Sequence, residues 1–274
     1  MVLPLRDENP ETRSRPWVTI ALLVANIAIF VLLQPQSRAI LERIGARSAP
    51  TTAAAEFTYR HAVVPCELRQ GAPLTAAEVA AEQCGIDRPV RVQATGQVFA
   101  PLPIFPSKNV WLAGLAAMFL HGSWLHLLGN MLFLWVFGDN VENRFGHLGF
   151  ALLYLTCGVI ATAAQVFVDL GSTVPILGAS GAIAGVMGAY LVMFPRNRVL
   201  TWIPIFLIVV IPLPAFIVLG IWFVMQFFTN PGSQVAWVAH VAGFVAGAGI
   251  TFALRSLVGH PRGQATEPPP TAGW

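Results

Sequence analysis

The chain has 274 residues, a formal net charge of +3, 55% hydrophobic residues and only 11% charged ones. Soluble domains carry about 25% charged residues, so this composition, with a mean hydropathy of +0.66, expects lipid as the solvent for most of the chain. The basic side chains stand singly around apolar runs rather than on one polar face, which argues against a nucleic-acid partner.

In chain order, residues 1–16 read as a cytoplasmic N-terminal tail. Trp17–Gln34 is the first apolar run to reach the roughly 17–25 residues that a membrane span needs. A cleaved signal peptide shares this pattern, but the run is long and no small-residue cleavage site directly follows it, so a retained anchor is expected. Residues 35–110 are less apolar and form one long loop between spans one and two. They hold Cys66 and Cys84, which can pair in an oxidising exterior, closing a loop worth about 3 kcal/mol in the chain-entropy model. Two free thiols are the other reading.

Further spans are expected near 116–138, 147–168, 178–194 and 236–257, inside a core of 111–258. Cys157 in span three reads as a packing residue. The stretch 199–228 is too long for one upright span and too short for two. Pro204, Pro212 and Pro214 interrupt its first half, so 199–212 is expected to be an interfacial or partly buried loop and 213–228 the span. Residues 259–274, rich in Pro and Gly, read as a disordered tail.

Six spans result, and arginine sets their direction. Arg6, Arg13 and Arg15 precede span one, Arg144 follows span two, Arg196 and Arg198 follow span four, and Arg255 and Arg262 close span six. The short loops 169–177 and 229–235 carry no Lys or Arg. Both termini are therefore expected in the cytoplasm. The eight basic residues of 35–110 do not oppose this, because loops beyond about 60 residues translocate largely regardless of charge.

Polar residues inside such spans are costly and mark function by default. His126 and Asn130 are four apart on one face of span two. Ser180, Gly181, Ala184, Gly185 and Gly188 make one broad small-residue face at the start of span four. His240, Gly243 and Gly247 do the same on span six. Each has a plain alternative, since interhelical glue or a packing serine explains it alone. Two smooth faces invite spans four and six into contact, which would bring Ser180 and His240 together. All four polar residues also fall in the outer half of spans that run the same way.

That set allows acyl transfer. His240 can take the Ser180 proton as general base and return it to a leaving amine. Spans four and six contain no Asp or Glu, so a Ser-His dyad is expected, with small-residue packing orienting the imidazole. Asn130, His126 and the Ser180 N–H are candidate oxyanion donors. The loop 229–235, with Asn230-Pro231-Gly232-Ser233, is a candidate lid.

Gly178-Ala179-Ser180-Gly181 resembles the nucleophile motif of the rhomboid family, Ala239-His240 with Gly243 and Gly247 its A-H-x-x-G-x-x-x-G motif, and His126-x-x-x-Asn130 its oxyanion motif. Gly138-Asp139-Asn140-Val141-Glu142 and Pro4-Leu5-Arg6-Asp7-Glu8-Asn9-Pro10 look like bacterial members. The resemblance implies an all-α, six-transmembrane-helix bundle with a long extracytoplasmic loop between helices 1 and 2, in a bacterial plasma membrane. It implies an intramembrane serine endopeptidase cutting single-pass membrane proteins near the outer end of their helix, at small residues. Its partners are transmembrane substrates and the lipid bilayer, with no metal or organic cofactor.

The chain departs from several relatives in placing Ala184 where they carry an aromatic that stacks on the catalytic histidine, and in lacking a Trp-Arg pair in the first external loop. The rival readings are a rhomboid-like protein that binds client helices without cutting them, a transporter, whose polar groups belong near the midplane, and a metal site at His121 and His126, for which no third ligand is evident.

Overall fold

In the computed structural model, which describes residues 3–8, 14–35, 53–205, 207–229 and 236–256, the chain starts with a short strand, β1 (Leu3–Asp7). Helix α1 (Trp17–Ala28) follows and loosens into a π turn over Ile29–Leu33. Residues 53–110 hold three short helices, α2 (Ala53–His61), α3 (Pro65–Gln70) and α4 (Ala76–Ala81), and a two-stranded ribbon, β2 (Val90–Arg91) with β3 (Val98–Phe99). The short α5 (Leu112–Ala116) and a 3-10 turn lead to α6 (Trp124–Val168). Then come α7 (Ser180–Met193), strands β4 (Arg198–Ile205) and β5 (Leu207–Pro214), α8 (Ala215–Met225) with a closing 3-10 turn over Gln226–Phe228, and α9 (Trp237–Leu254).

The fold is mostly helical, and two corrections follow. The expectation of an all-α chain misses a three-stranded antiparallel sheet, β1-β4-β5. The stretch 199–212, expected as a loop, is a β-hairpin whose strands pair from Arg198↔Pro214 to Ile205↔Leu207. Its prolines are tolerated for a positional reason. Pro212 and Pro214 lie on the edge strand, and Pro204 lies beyond the part of β4 that β1 pairs, so no ladder bond is lost on that side.

Two apolar runs expected as separate spans share α6, which is broken at Gly146. There φ is 72° and ψ 165°, a conformation open essentially to glycine alone. Span two also starts later than expected, at Trp124, where the Ser123 hydroxyl accepts from the His126 N–H and caps the helix. By length and apolarity, α6 and α9 each suffice to cross a membrane, and Trp17–Leu33, Ser180–Met193 and Ala215–Phe228 are shorter apolar helices.

Helix α7 is the axis of the bundle. Every residue from Gly181 to Tyr190 is buried, and the main core gathers Phe133, Phe137, Tyr154, Leu219 and Phe244 around it. Large apolar side chains on the other helices point outward instead, among them Leu125, Leu148, Phe216 and Phe252.

The end opposite Ser180 is tied by carboxylates. Glu142 accepts from the Val18 and Thr19 amides at 2.8 and 2.7 Å, satisfying the free first turn of α1. Asp7 of β1 is buried and accepts from Asn140 of α6 and from the Tyr190 hydroxyl of α7. The two stretches that look like bacterial family members thus meet each other.

At the Ser180 end, Cys66 and Cys84 form a disulfide. Lys108 makes a buried ion pair with Glu67 at 2.5 Å, and its ammonium is held below the usual lysine range by burial, against the pull of that carboxylate. The Cys66 amide donates to Ser172 O and Ile176 N donates to Val63 O, joining this segment to the loop 169–177 that precedes the serine. The expected tail 259–274 and most of the candidate lid, residues 230–235, lie outside the described residues.

Candidate active site

Ser180 is the first residue of α7, so its N–H has no acceptor within the helix. Helices α7 and α9 run parallel with their backbones in contact. A Cβ on Gly243 would sit 2.1 Å from Gly181 O, one on Gly247 1.9 Å from Gly185 O, and one on Gly188 2.1 Å from Phe244 O. Only glycine permits this approach. The Ala239 N–H near the start of α9 donates to Gln165 Oε1 of α6 at 3.2 Å, fixing that end of the helix.

This seam sets Ser180 Oγ 2.8 Å from His240 Nε2. The other ring nitrogen, Nδ1, lies 2.8 Å from Gln226 Oε1, on the turn that closes α8. Gln226 Nε2 in turn donates to Trp222 O at 2.8 Å. The Trp222 ring packs beside the imidazole, with centroids 5.9 Å apart and planes at 39°. The aromatic neighbour that Ala184 does not supply thus comes from α8.

His126 stands across from this pair. Gly122 N–H donates to its Nδ1 at 3.4 Å, so in the neutral ring Nε2 carries the hydrogen. That edge faces Gly178, where φ is 130° and where a Cβ would lie 2.9 Å from His126 Nε2 and 3.5 Å from Ser180 Oγ. Gly178 therefore leaves open the space between the two side chains. Asn130 is buried, and its Nδ2 donates to nothing among the described residues. His121, just before α6, is buried with its ring edge-on to His126, centroids 5.1 Å apart. Beside Ser180 is a cavity of about 20 Å³ lined by Met118, Gly158, Ala161, Thr162, Gly181 and Ala239.

The arrangement offers a hydroxyl in contact with a base, with the His126 ring edge close by across Gly178, which suits attack on a carbonyl. Reading the sequence missed Gln226, Trp222 and Gln165. Gln226 left a signal, as the one amide in the apolar run 213–228. Trp222 and Gln165 left none that separates them from packing residues.

A rhomboid domain model matches residues 108–257, more than half of the chain. The protein belongs to the rhomboid family, and is a membrane protein by that membership and by its outward apolar side chains. It is similar to the mitochondrial presenilin-associated rhomboid-like protein of Bos taurus, 37% identical over 36% of this chain and 27% of that one. It is similar to the mitochondrial RHOMBOID-like protein 6 of Arabidopsis thaliana, 28% identical over 68% of this chain and 54% of that one. To rhomboid protease GluP of Bacillus subtilis it is 34% identical, over 52% of this chain and 25% of that one. The aligned part is thus about a quarter to a half of each of these relatives.

Proposed function

We propose that the chain is an intramembrane serine endopeptidase that hydrolyses peptide bonds in or near transmembrane segments of single-pass membrane proteins. The observation that carries this reading is the 2.8 Å contact of Ser180 Oγ with His240 Nε2 inside an apolar bundle. His240 takes the hydroxyl proton as Oγ attacks the substrate carbonyl carbon. The resulting oxyanion accepts from His126 Nε2–H, Asn130 Nδ2–H and the Ser180 N–H. As the intermediate collapses, the C–N bond breaks and His240 gives the proton to the departing amine. Water then attacks the acyl-serine with His240 again as base, releasing the acid and restoring Ser180.

The small cavity beside Ser180 suits a small side chain at the cut, since about 20 Å³ is little more than the room one water needs. The spans of this reading are α1 with its π turn, the two halves of α6, α7, α8 with its closing turn, and α9, with 35–110 outside the membrane. The arginine distribution favours both termini in the cytoplasm, and the bacterial address rests on the stretches at residues 4–10 and 138–142 that look like bacterial members. The mitochondrial relatives make a mitochondrial membrane the rival address. The name of the Bacillus relative agrees with the protease reading.

The test is cleavage of a model single-pass substrate in liposomes. Wild type is expected to cut, with Ser180→Ala and His240→Ala each losing at least about 10³-fold in kcat. Cleavage that persists in Ser180→Ala sinks the reading. If no version cuts and a fluorophosphonate probe leaves Ser180 unlabelled, the client-binding alternative is favoured.

A further inference from the structure

We propose that Gln226 is the positioning residue of this site, holding His240 as its Nδ1–H tautomer with Nε2 turned to Ser180. It stands where an acidic side chain stands in a three-residue serine hydrolase relay. The inference rests on the Ser180–His240 reading above and extends it to a third helix.

Gln226 is buried at the end of an otherwise apolar helix, a place where an amide costs free energy unless both of its ends are bonded. Both are. Its Nε2 lies 2.8 Å from Trp222 O, and a carbonyl can only accept, so the NH₂ end must face that oxygen. The end turned to His240 is therefore Oε1, which also can only accept. At 2.8 Å, Nδ1 must then carry the hydrogen. In a neutral imidazole this leaves the lone pair on Nε2, facing the Ser180 hydroxyl it has to deprotonate. One backbone carbonyl thus fixes, through two hydrogen bonds, which nitrogen is the base.

The same element supports the ring sterically. Trp222 and Gln226 are four apart on one face of α8, one beside the imidazole plane and one on its edge. Ala184 has no side chain beyond Cβ with which to do either. A glutamine also suits an apolar site, because it orients the ring without a buried charge. Within the described residues, His126 is the titratable side chain close enough to act on His240, and the Trp222 ring beside the imidazole is itself stacked on Phe244.

The test uses the full chain in liposomes with Gln226→Leu and Gln226→Glu beside wild type. Leucine keeps the volume and removes the acceptor, and is expected to lower kcat roughly 10- to 100-fold with KM little changed. Nitrogen-15 spectra of His240 are expected to show a pyrrole-type Nδ1 in wild type and a changed tautomer mixture in the leucine variant. Glutamate keeps an acceptor, so activity is expected to return, with the acid limb of kcat moved to higher pH because a carboxylate favours the imidazolium.

A leucine variant with wild-type kcat, or with His240 still wholly the Nδ1–H tautomer, overturns the proposal. So does a glutamate variant whose acid limb stays in place. If the leucine variant does not fold, the glutamate profile and the wild-type spectrum decide. A wild type that cuts nothing and whose Ser180 the fluorophosphonate probe leaves unlabelled sinks the protease reading, while the spectra still decide the tautomer.

Discussion

Asn130 is 7% exposed and offers a buried N–H to no partner among the described residues. Such a donor costs about 1–3 kcal/mol in the resting protein, and in the proposed reaction the oxyanion would relieve that cost only as the reaction proceeds. Asn130→Ala is therefore expected to lower kcat by roughly 10- to 1000-fold with KM little changed. Thermal melting in detergent is expected at the same or a higher temperature, since an unsatisfied amide is removed. A large fall in melting temperature instead makes Asn130 a structural residue. Ser180, His126, Asn130 and His240 could be named as candidates from the sequence because polar groups stand out in runs that lipid requires to be apolar. Gln226 was missed, because a carboxylate sought on spans four and six cannot reveal an amide arriving from span five.

Between elements, the seam of α7 and α9 decides whether serine and histidine meet. A Cβ on Gly247 would lie 1.9 Å from a backbone oxygen of α7, which cannot move without moving the helix. Gly247→Ala is expected to cost about 1–3 kcal/mol of stability and to separate Ser180 from His240, read as lower melting temperature and lost cleavage together. Gly249, two residues on in the same helix, would meet nothing within 4 Å. Gly249→Ala is expected to be neutral or stabilising by up to about 1 kcal/mol, with activity kept. Equal behaviour of the two variants contradicts the contact. The small-residue faces were legible as faces, because helical periodicity is local. The β4–β5 hairpin was not. A continuous apolar run with three prolines has neither the alternation of a strand nor the period of a helix, and its partner β1 arrives from nearly 200 residues away.

Across the whole molecule, one end is fastened by Asp7, Asn140, Tyr190 and Glu142 and the other by the disulfide-closed segment leaning on loop 169–177. Replacing Cys66 and Cys84 together by serine is expected to destabilise that segment by about 3 kcal/mol. Limited proteolysis then cuts within 53–110 while α6, α7 and α9 stay protected. Unchanged proteolysis indicates that the helices and the Glu67–Lys108 pair suffice without the bridge.

By itself the sequence determined the membrane solvent, the apolar helices and the four polar residues they carry, because each is a property of composition or local period. Only the tertiary structure decided which carboxylate ties which element, that 199–212 pairs as strands, and which nitrogen of His240 faces Ser180. Those depend on atoms far apart in the chain meeting within about 3 Å, where hydrogen-bond geometry rather than hydrophobicity selects the partner.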